Sequence, residues 1–268
     1  MIGIFKKIKN NLFHKIWILT IYRLIYRRKI SSLNDLECNE SCVIIGNGPS
    51  LFVSDLSLFI NIDTFASNKI FLAFEHTEWR PTFYFVEDDL VYKQNKSVVD
   101  SSGFYKYKFI NSFLINFGAS GKGEPQTYLY NYKNADYLLG REPLSSDASK
   151  EIVCGYSVVV SQIQLAVYLG YKKIYLVGVD FSFDIDKDRS VNNKEIESNG
   201  DSNHFVENYR QVGELWNYPN LEKQYLAFQS VKMLADKYGV EILNASRSTK
   251  LDVFDTVDFN KVKWKEST

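Results

Sequence analysis

Three stretches of this chain hold residue types and spacings that could do chemistry. The first is Gly46-Asn47-Gly48-Pro49-Ser50, directly after the apolar run Cys42-Val43-Ile44-Ile45. Glycines allow positive φ and close backbone approach, and the main-chain N–H groups and the Asn47 amide of such a turn can meet the phosphate or ribose of a nucleotide. The spacing matches neither G-x-G-x-x-G nor G-x-x-x-x-G-K-[ST], so a tight turn with no ligand is an equal reading. The second is His204, in the polar stretch Ser202-Asn203-His204-Phe205. An imidazole titrates near neutral pH and suits removal of a hydroxyl proton, although a lone histidine in a polar segment is also an ordinary solvated residue. The third is Glu87-Asp88-Asp89, three acids that close an aromatic and β-branched run. They fit contact with sugar hydroxyls first, a divalent cation such as Mg²⁺ neutralising a diphosphate second, and a solvated edge otherwise. His14 and His76 lie in less suitable surroundings.

These residues need a scaffold, and hydrophobic periodicity supplies one. Residues 42–45 read as a buried strand, 63–74 as a stretch holding a second short strand and a polar interruption at Ser67-Asn68, and 82–86 as a third strand. From 101 to 151 the pattern is weak: "KYKFINSF" is a strand candidate and "NFGASGKGEPQ" a loop. Over 155–183, Val159, Ile163, Ala166, Val167 and Leu169 mark a buried helix, Gly170 its stop, and 174–179 a continuous apolar strand. Residues 184–202 lose apolar periodicity and fill with Asp, Asn, Ser and Lys, which predicts a lid over about 184–220. A further helix and strand follow, with Gly239 between them. Strands alternating with helices predict an α/β fold with a mostly parallel sheet covered on both faces. Ligands of such sheets bind beyond the carboxyl ends of the strands, where Gly46 to Ser50 lies.

A chain of 268 residues, 45% hydrophobic and 15% aromatic, can bury the core of one domain with additions. Its three cysteines, Cys38, Cys42 and Cys154, suit neither a disulfide framework nor a four-ligand metal site, which points to a reducing cytosol. The formal net charge is zero but unevenly placed. No acid precedes Asp35, while eight bases (Lys6, Lys7, Lys9, Lys15, Arg23, Arg27, Arg28 and Lys29) do, leaving 24 bases against 32 acids in the remainder. A general nucleic-acid binder is not expected on that balance. In the basic head Phe5, Ile8, Leu12, Ile16 and Leu19 recur at helical spacing. Residues 1–34 are therefore expected to form an amphipathic helix on an anionic membrane surface, or else to pack on the domain or on a second subunit. The apolar stretch 16–22 is too short to span a bilayer and lacks a signal-peptide cleavage site.

The stretches "IIGNGPSL", "SNKIF", "CGYSVVVSQIQLAVYLGYKKIYLVGVDFSF" and "NHF" occur in the order seen in bacterial lipooligosaccharide sialyltransferases, glycosyltransferase family 42, which the chain resembles. It also resembles a broader bacterial group of 6-hydroxymethylpterin diphosphokinase-like proteins, which "FEHTEWRPTFYFVEDD" and "ILNASRSTKLDVF" match better. The first resemblance implies a single modified Rossmann-like domain over 40–268 with a lid, a CMP-activated sugar donor, and no required metal. It carries nucleotide and donor contact to Gly46, Asn47, Gly48, Pro49, Ser50 and Asn68, and to Cys154-Gly155, where the family has Ser-Gly. It carries a strand-ending aspartate to Asp180 and the catalytic base to His204. The family's tyrosine two residues after that aspartate is Ser182 here, with Tyr209 as a substitute. Glu87 and Asp88, in place of an asparagine, become acceptor or donor hydroxyl contacts together with Tyr209.

The function so implied is an inverting, membrane-associated transfer of a sialic-acid-like or 3-deoxy-octulosonic-acid-like sugar from CMP to a glycan or glycolipid acceptor. It would take place on the cytoplasmic face of the inner membrane, without cofactor. A metal-dependent pterin diphosphotransferase and a non-catalytic nucleotide-binding scaffold are the alternatives.

Overall fold

All five residues of Ser41–Ile45 are buried, as a strand paired on both sides and covered on both faces requires. The computed structural model describes residues 26–36, 38–101, 103–119, 126–184, 189–192, 194–200 and 203–264. Most of the basic head, residues 1–25, thus lies outside the described residues. In chain order come α1 (Arg27–Ser31), β1 (Ser41–Ile45), β2 (Asp63–Ser67) and β3 (Phe83–Val86). They are followed by α2 (Asp89–Gln94), α3 (Lys96–Asp100), β4 (Tyr107–Asn111), β5 (Thr127–Tyr130), β6 (Tyr132–Lys133) and β7 (Ile152–Val153). The remainder is α4 (Val158–Leu169), β8 (Lys173–Val177), β9 (Glu195–Glu197), β10 (Leu215–Asn217), α5 (Leu221–Lys237), β11 (Glu241–Asn244) and β12 (Asp255–Thr256).

Eight of these strands form one sheet in the order β12-β11-β8-β1-β2-β3-β4-β5, and every pairing is parallel. The fold is the expected α/β, Rossmann-like one. Alternate residues of β1 serve opposite faces: Cys42 and Ile44 join the core that packs against α4 and α5, while Val43 and Ile45 join the core around Phe59, Trp79 and Trp264. The aromatic content goes largely into these layers, with Phe85 and Phe109 stacked at 4.8 Å and Phe65 and Phe83 at 4.4 Å. Trp79 and Tyr84 are core residues for this reason.

The sheet grows from β1 through β5 in one direction, and the chain then returns to place β8 on the other flank of β1. This reversal is a topological switch point, and it opens a crevice beyond the carboxyl ends of β1 and β8. The helix read from Val159 to Leu169 is α4, ended by Gly170 with φ 90°. Its following strand stops at Val177, two residues before the sequence pattern does, because Gly178 leaves the strand with φ 67°. The weakly patterned region 101–151 holds β4, β5, β6 and β7. Within the predicted lid, β9 and β10 form a small antiparallel ribbon that pairs Ile196 with Trp216. At the other end of the domain, the last base of the head packs down while Arg27 and Arg28 stay exposed: Lys29 Nζ donates to Thr127 O at 2.7 Å, and Ile30 and Leu33 are buried. Among the described residues no helix is long and apolar enough to cross a membrane.

Candidate functional site

The turn after β1 meets the turn after β8 at the switch point, and the glycines are there for that meeting. A Cβ on Gly46 would lie 2.3 Å from Gly178 O, and one on Gly48 would lie 2.6 Å from Asp180 Oδ2 and 2.7 Å from Gly178 O. Gly46 N–H donates to Val177 O at 2.8 Å and Gly48 N–H to Gly178 O at 2.9 Å. Ser50 gives its N–H to Asp180 Oδ2 at 2.8 Å and its hydroxyl to Asp180 Oδ1. The N–H groups of Gly46, Gly48 and Ser50 are therefore spent on joining two loops.

Asp180, expected beside the chemistry, lines the crevice but uses both carboxylate oxygens to brace Ser50; burial raises its pKa against those hydrogen bonds. Arg247 adds a second brace from beyond β11, with a bidentate pair to Asp55 and a bond to Ser50 O at 3.1 Å. Pro49 and Ser50 belong to this frame rather than to the wall of the crevice.

What faces the crevice is amide, hydroxyl and ring. An inner chamber of about 150 Å³ is lined by Gly46, Asn47, Gly48, Asn68, Asp180, Ser182, His204 and Tyr209, among others. Asn47 Nδ2 donates to Ser67 O at 3.0 Å and to the Tyr209 hydroxyl at 3.0 Å. Because Ser67 O can only accept, the amide orientation is fixed with Oδ1 the other way. Asn47 Oδ1 and Asn68 Oδ1 are buried and have no hydrogen-bond partner among the described residues. Buried acceptors are ordinarily paired, so these two oxygens call for N–H or O–H groups from a ligand.

Asn68, Tyr156 and Phe181, all on the walls of the cleft, have φ of 52°, 56° and 51°. Non-glycine residues rarely adopt such values, and their gathering at three chain turns around one cleft is backbone strain held where a ligand would sit.

An outer chamber of about 360 Å³ opens from the inner one. Asn68, Ser157, Val158, Phe183, His204 and Gln224 line both. The outer walls add Glu87, Asp88, Tyr132, Cys154, Tyr156, Arg210 and Trp216. Cys154 faces this chamber and accepts a hydrogen bond from Tyr132 OH at 2.9 Å, and burial pushes its thiol pKa up. Gly155 lies where a Cβ would be 2.4 Å from the Val160 side chain, which makes it a packing residue.

The three successive acids take up different contacts. Glu87 accepts from Tyr130 OH at 2.6 Å, and burial pushes its pKa up to about 7. Asp88 caps α2, accepting from Leu90 N at 2.8 Å and Val91 N at 3.0 Å, and takes Asn217 Nδ2 at 3.1 Å on its other oxygen. Asp89 pairs with Lys93 at 2.6 Å. Asn217 Nδ2 also reaches Asp89 Oδ1 at 3.5 Å, so Asp88 and Asp89 share one donor while Glu87 turns away, and the described residues contain no group of three or more His, Cys, Asp or Glu side chains placed to hold a metal ion.

The segment bearing His204 closes over the inner chamber. The His204 ring stacks on Tyr209 with centroids 3.8 Å apart and 6° between planes. Tyr209 is buried, which pushes its phenol up to about 12, and its hydroxyl oxygen accepts from Asn47. Phe205 N–H donates to Asn47 O at 3.1 Å, so the segment and the turn after β1 hold each other. Arg210 lies over the Trp216 ring at 4.0 Å at the outer mouth. Sequence reading passed over Tyr156, Arg210, Asn217 and Lys69. The Asp88 cap did carry a signal, an Asp after a strand and before apolar residues three and four places on.

A profile of the family described as 6-hydroxymethylpterin diphosphokinase MptE-like matches residues 19–186. No curated protein matches the chain. Among solved structures, the sialyltransferase CstII of Campylobacter jejuni in complex with CMP-3FNeuAc is similar at 16% identity and TM-score 0.44, over 81% of this chain and 85% of that one. The α-2,3-sialyltransferase Cst-I of the same organism is similar at 17% and 0.46, over 85% and 82%. The MAf glycosyltransferase of Magnetospirillum magneticum AMB-1 is similar at 14% and 0.50, over 90% of this chain and 38% of that one. At these identities the likeness concerns the fold.

Proposed function

The chain belongs to the 6-hydroxymethylpterin diphosphokinase MptE-like family, and from that premise we propose that it is a glycosyltransferase moving a sialic-acid-like or 3-deoxy-octulosonic-acid-like sugar from its CMP-activated form to a glycan acceptor. The observation that carries this reading is the two-chamber cleft with His204 on the wall common to both. A donor nucleotide in the inner chamber would satisfy Asn47 Oδ1 and Asn68 Oδ1 with ribose hydroxyls or a base amino group. Its sugar would then reach the waist of the cleft. An acceptor in the outer chamber would meet Glu87, Tyr132 and Trp216, a carboxyl, a phenol and an aromatic face suited to a hydroxyl-rich ring.

The acceptor oxygen attacks the anomeric carbon from the face opposite the phosphate. The bond between that carbon and the phosphate oxygen breaks, and CMP leaves with the electron pair. The acceptor hydroxyl proton passes to the His204 imidazole, a step worth about 10²- to 10⁴-fold in rate. Tyr209, with its oxygen held by Asn47, is placed to donate its own proton as a hydrogen bond inside the donor chamber. No covalent sugar-enzyme intermediate is needed, and the anomeric centre inverts. Asp180 serves this reaction by holding the two glycine turns together.

The basic head is the basis for proposing that the enzyme works at the cytoplasmic face of a membrane on a lipid-linked surface glycan, since its bases other than Lys29 would attract anionic lipid. The family description keeps a second reading in play, diphosphoryl transfer from ATP. Calorimetric titration with CMP in EDTA and then in Mg²⁺, with ATP and UDP alongside, separates the two. CMP binding that survives EDTA is expected; Mg²⁺-dependent ATP binding without CMP binding would replace the proposal with the second reading.

A further inference from the structure

Lys69 lines neither chamber, yet it carries the contacts that fix the segment bearing His204 and Tyr209. It follows Asn68 at the end of β2 and is only 6% exposed. Its Nζ donates to the main-chain carbonyl of Tyr209 at 3.0 Å and forms an ion pair with Glu214, the residue just before β10. Its own N–H donates to the Tyr209 hydroxyl at 3.4 Å. One residue thus grips the ring end and the backbone end of a tyrosine 140 positions away. Glu214 extends the grip, because its other oxygen accepts from Gln211 N–H at 2.9 Å.

Burying an ammonium is expensive, and a buried ion pair is often no more stable than an apolar pair of the same size. What such a pair does supply is geometry, since each partner can be satisfied in one arrangement only. Here that arrangement ties residues 209–214 to the turn after β2, and the Tyr209 ring in turn carries the His204 ring at 3.8 Å. The polar grip is directional, and it is needed because Val212, in the same stretch, is exposed and packs on nothing among the described residues that would fix it.

We propose that Lys69 is the positioning residue of the cleft: its ion pair with Glu214 clips the 203–217 segment to the end of β2 and so sets where the His204 imidazole stands over the junction of the two chambers. The part of this that concerns catalysis rests on the reading of His204 as the base. The clip itself does not. Lys69 touches no reacting atom in this scheme. Its effect passes through Tyr209, which makes the expected signature a loss of turnover with the bound nucleotide largely retained.

The test is hydrogen exchange of the full chain, without nucleotide, for the wild type, Lys69→Met, Lys69→Arg and Glu214→Gln, followed by CMP affinity and CMP-sugar turnover on the same samples. Exchange across 203–217 is expected to rise about tenfold in Lys69→Met and Glu214→Gln while α4 and the central strands keep their protection. Lys69→Arg should recover part of the protection, because the charge and donors remain. Turnover should fall about tenfold or more with CMP affinity within about threefold, the pattern of a contact that matters beyond ground-state binding.

Unchanged exchange over 203–217 in both Lys69→Met and Glu214→Gln would overturn the clip, as would a rise spread evenly over the sheet. Should Lys69→Met fail to fold, Glu214→Gln alone decides, since it keeps the shape of the side chain. Should the wild type bind no CMP, the exchange result still decides the clip, and the functional reading fails separately.

Discussion

The imidazole of His204 lies flat against the phenol of Tyr209, with ring centroids 3.8 Å apart and planes 6° apart. The base of the proposed reaction is therefore located by a stacking partner that is itself buried and hydrogen-bonded to Asn47. His204→Phe keeps the stack and removes the proton acceptor. Turnover of a CMP-sugar is expected to fall about 10²- to 10⁴-fold while CMP affinity stays within about threefold. Steady-state kinetics beside calorimetry on the same variant checks it, and an unchanged rate would move the base elsewhere.

Asn47 has a different consequence, because its amide has two tasks. Asn47→Ala removes the ligand-facing Oδ1 and also the Nδ2 bonds to Ser67 O and Tyr209 OH. CMP affinity should drop about 10- to 100-fold, the range for losing one or two good hydrogen bonds. Asn68→Ala should drop it by a smaller factor, since the Asn68 main-chain carbonyl keeps its bond from Tyr84 OH at 2.7 Å.

Gly48 predicts a loss of stability. Alanine there would set a methyl carbon 2.6 Å from Asp180 Oδ2 and 2.7 Å from Gly178 O, and the second of these is backbone that can move only by parting β1 from β8. Gly48→Ala should cost about 1–3 kcal/mol or more in urea unfolding, as overpacking of a tight contact does. A variant as stable as the wild type would show that the two turns have slack.

Glu87 ties stability to pH. Burial raises its pKa from 4.5 to about 7 in the folded chain. Between those values the folded state keeps a proton that the unfolded chain has released, so this carboxyl makes stability fall as pH rises from about 4.5 to about 7. Below that window it is protonated in both states, and above it the loss is complete, at most ~3 kcal/mol. Glu87→Gln does not titrate and should flatten that part of the curve. Urea midpoints at pH 5 and pH 8 for both proteins test it; equal slopes would mean that Glu87 is ionised in the fold at neutral pH.

Much of this scaffold was legible in the residues. β1, β2, β3 and α4 stand out because their apolar runs are long enough and end at Gly, Asn or Glu, and a sheet strand with a polar stop announces a crevice above it. The turn at Gly46 to Ser50 was legible as a place, but its joining to a second loop was not. Only the partner loop, 130 positions on, shows that Gly46 and Gly48 give their N–H groups to Val177 and Gly178. The run Glu87-Asp88-Asp89 read as one feature, whereas a strand end followed at once by a helix turns Glu87 toward Tyr130 and leaves Asp88 and Asp89 at the helix start, sharing the Asn217 amide. Lys69 was invisible for the same reason as the loop: its partners Tyr209 and Glu214 are remote in sequence, and nothing local marks a lysine that will be buried.

The placement of β8 beside β1 also governs how the protein must come into being. On the ribosome the first five strands of the sheet emerge long before β8, and until then one flank of β1 is an unpaired edge with its N–H and C=O groups open. Ser50 must wait for Asp180, 130 positions further along the chain, so the inner chamber has no floor during most of synthesis. The interval before β8 docks is thus the stage of synthesis at which the sheet carries an open edge, the kind of edge that invites pairing with another chain.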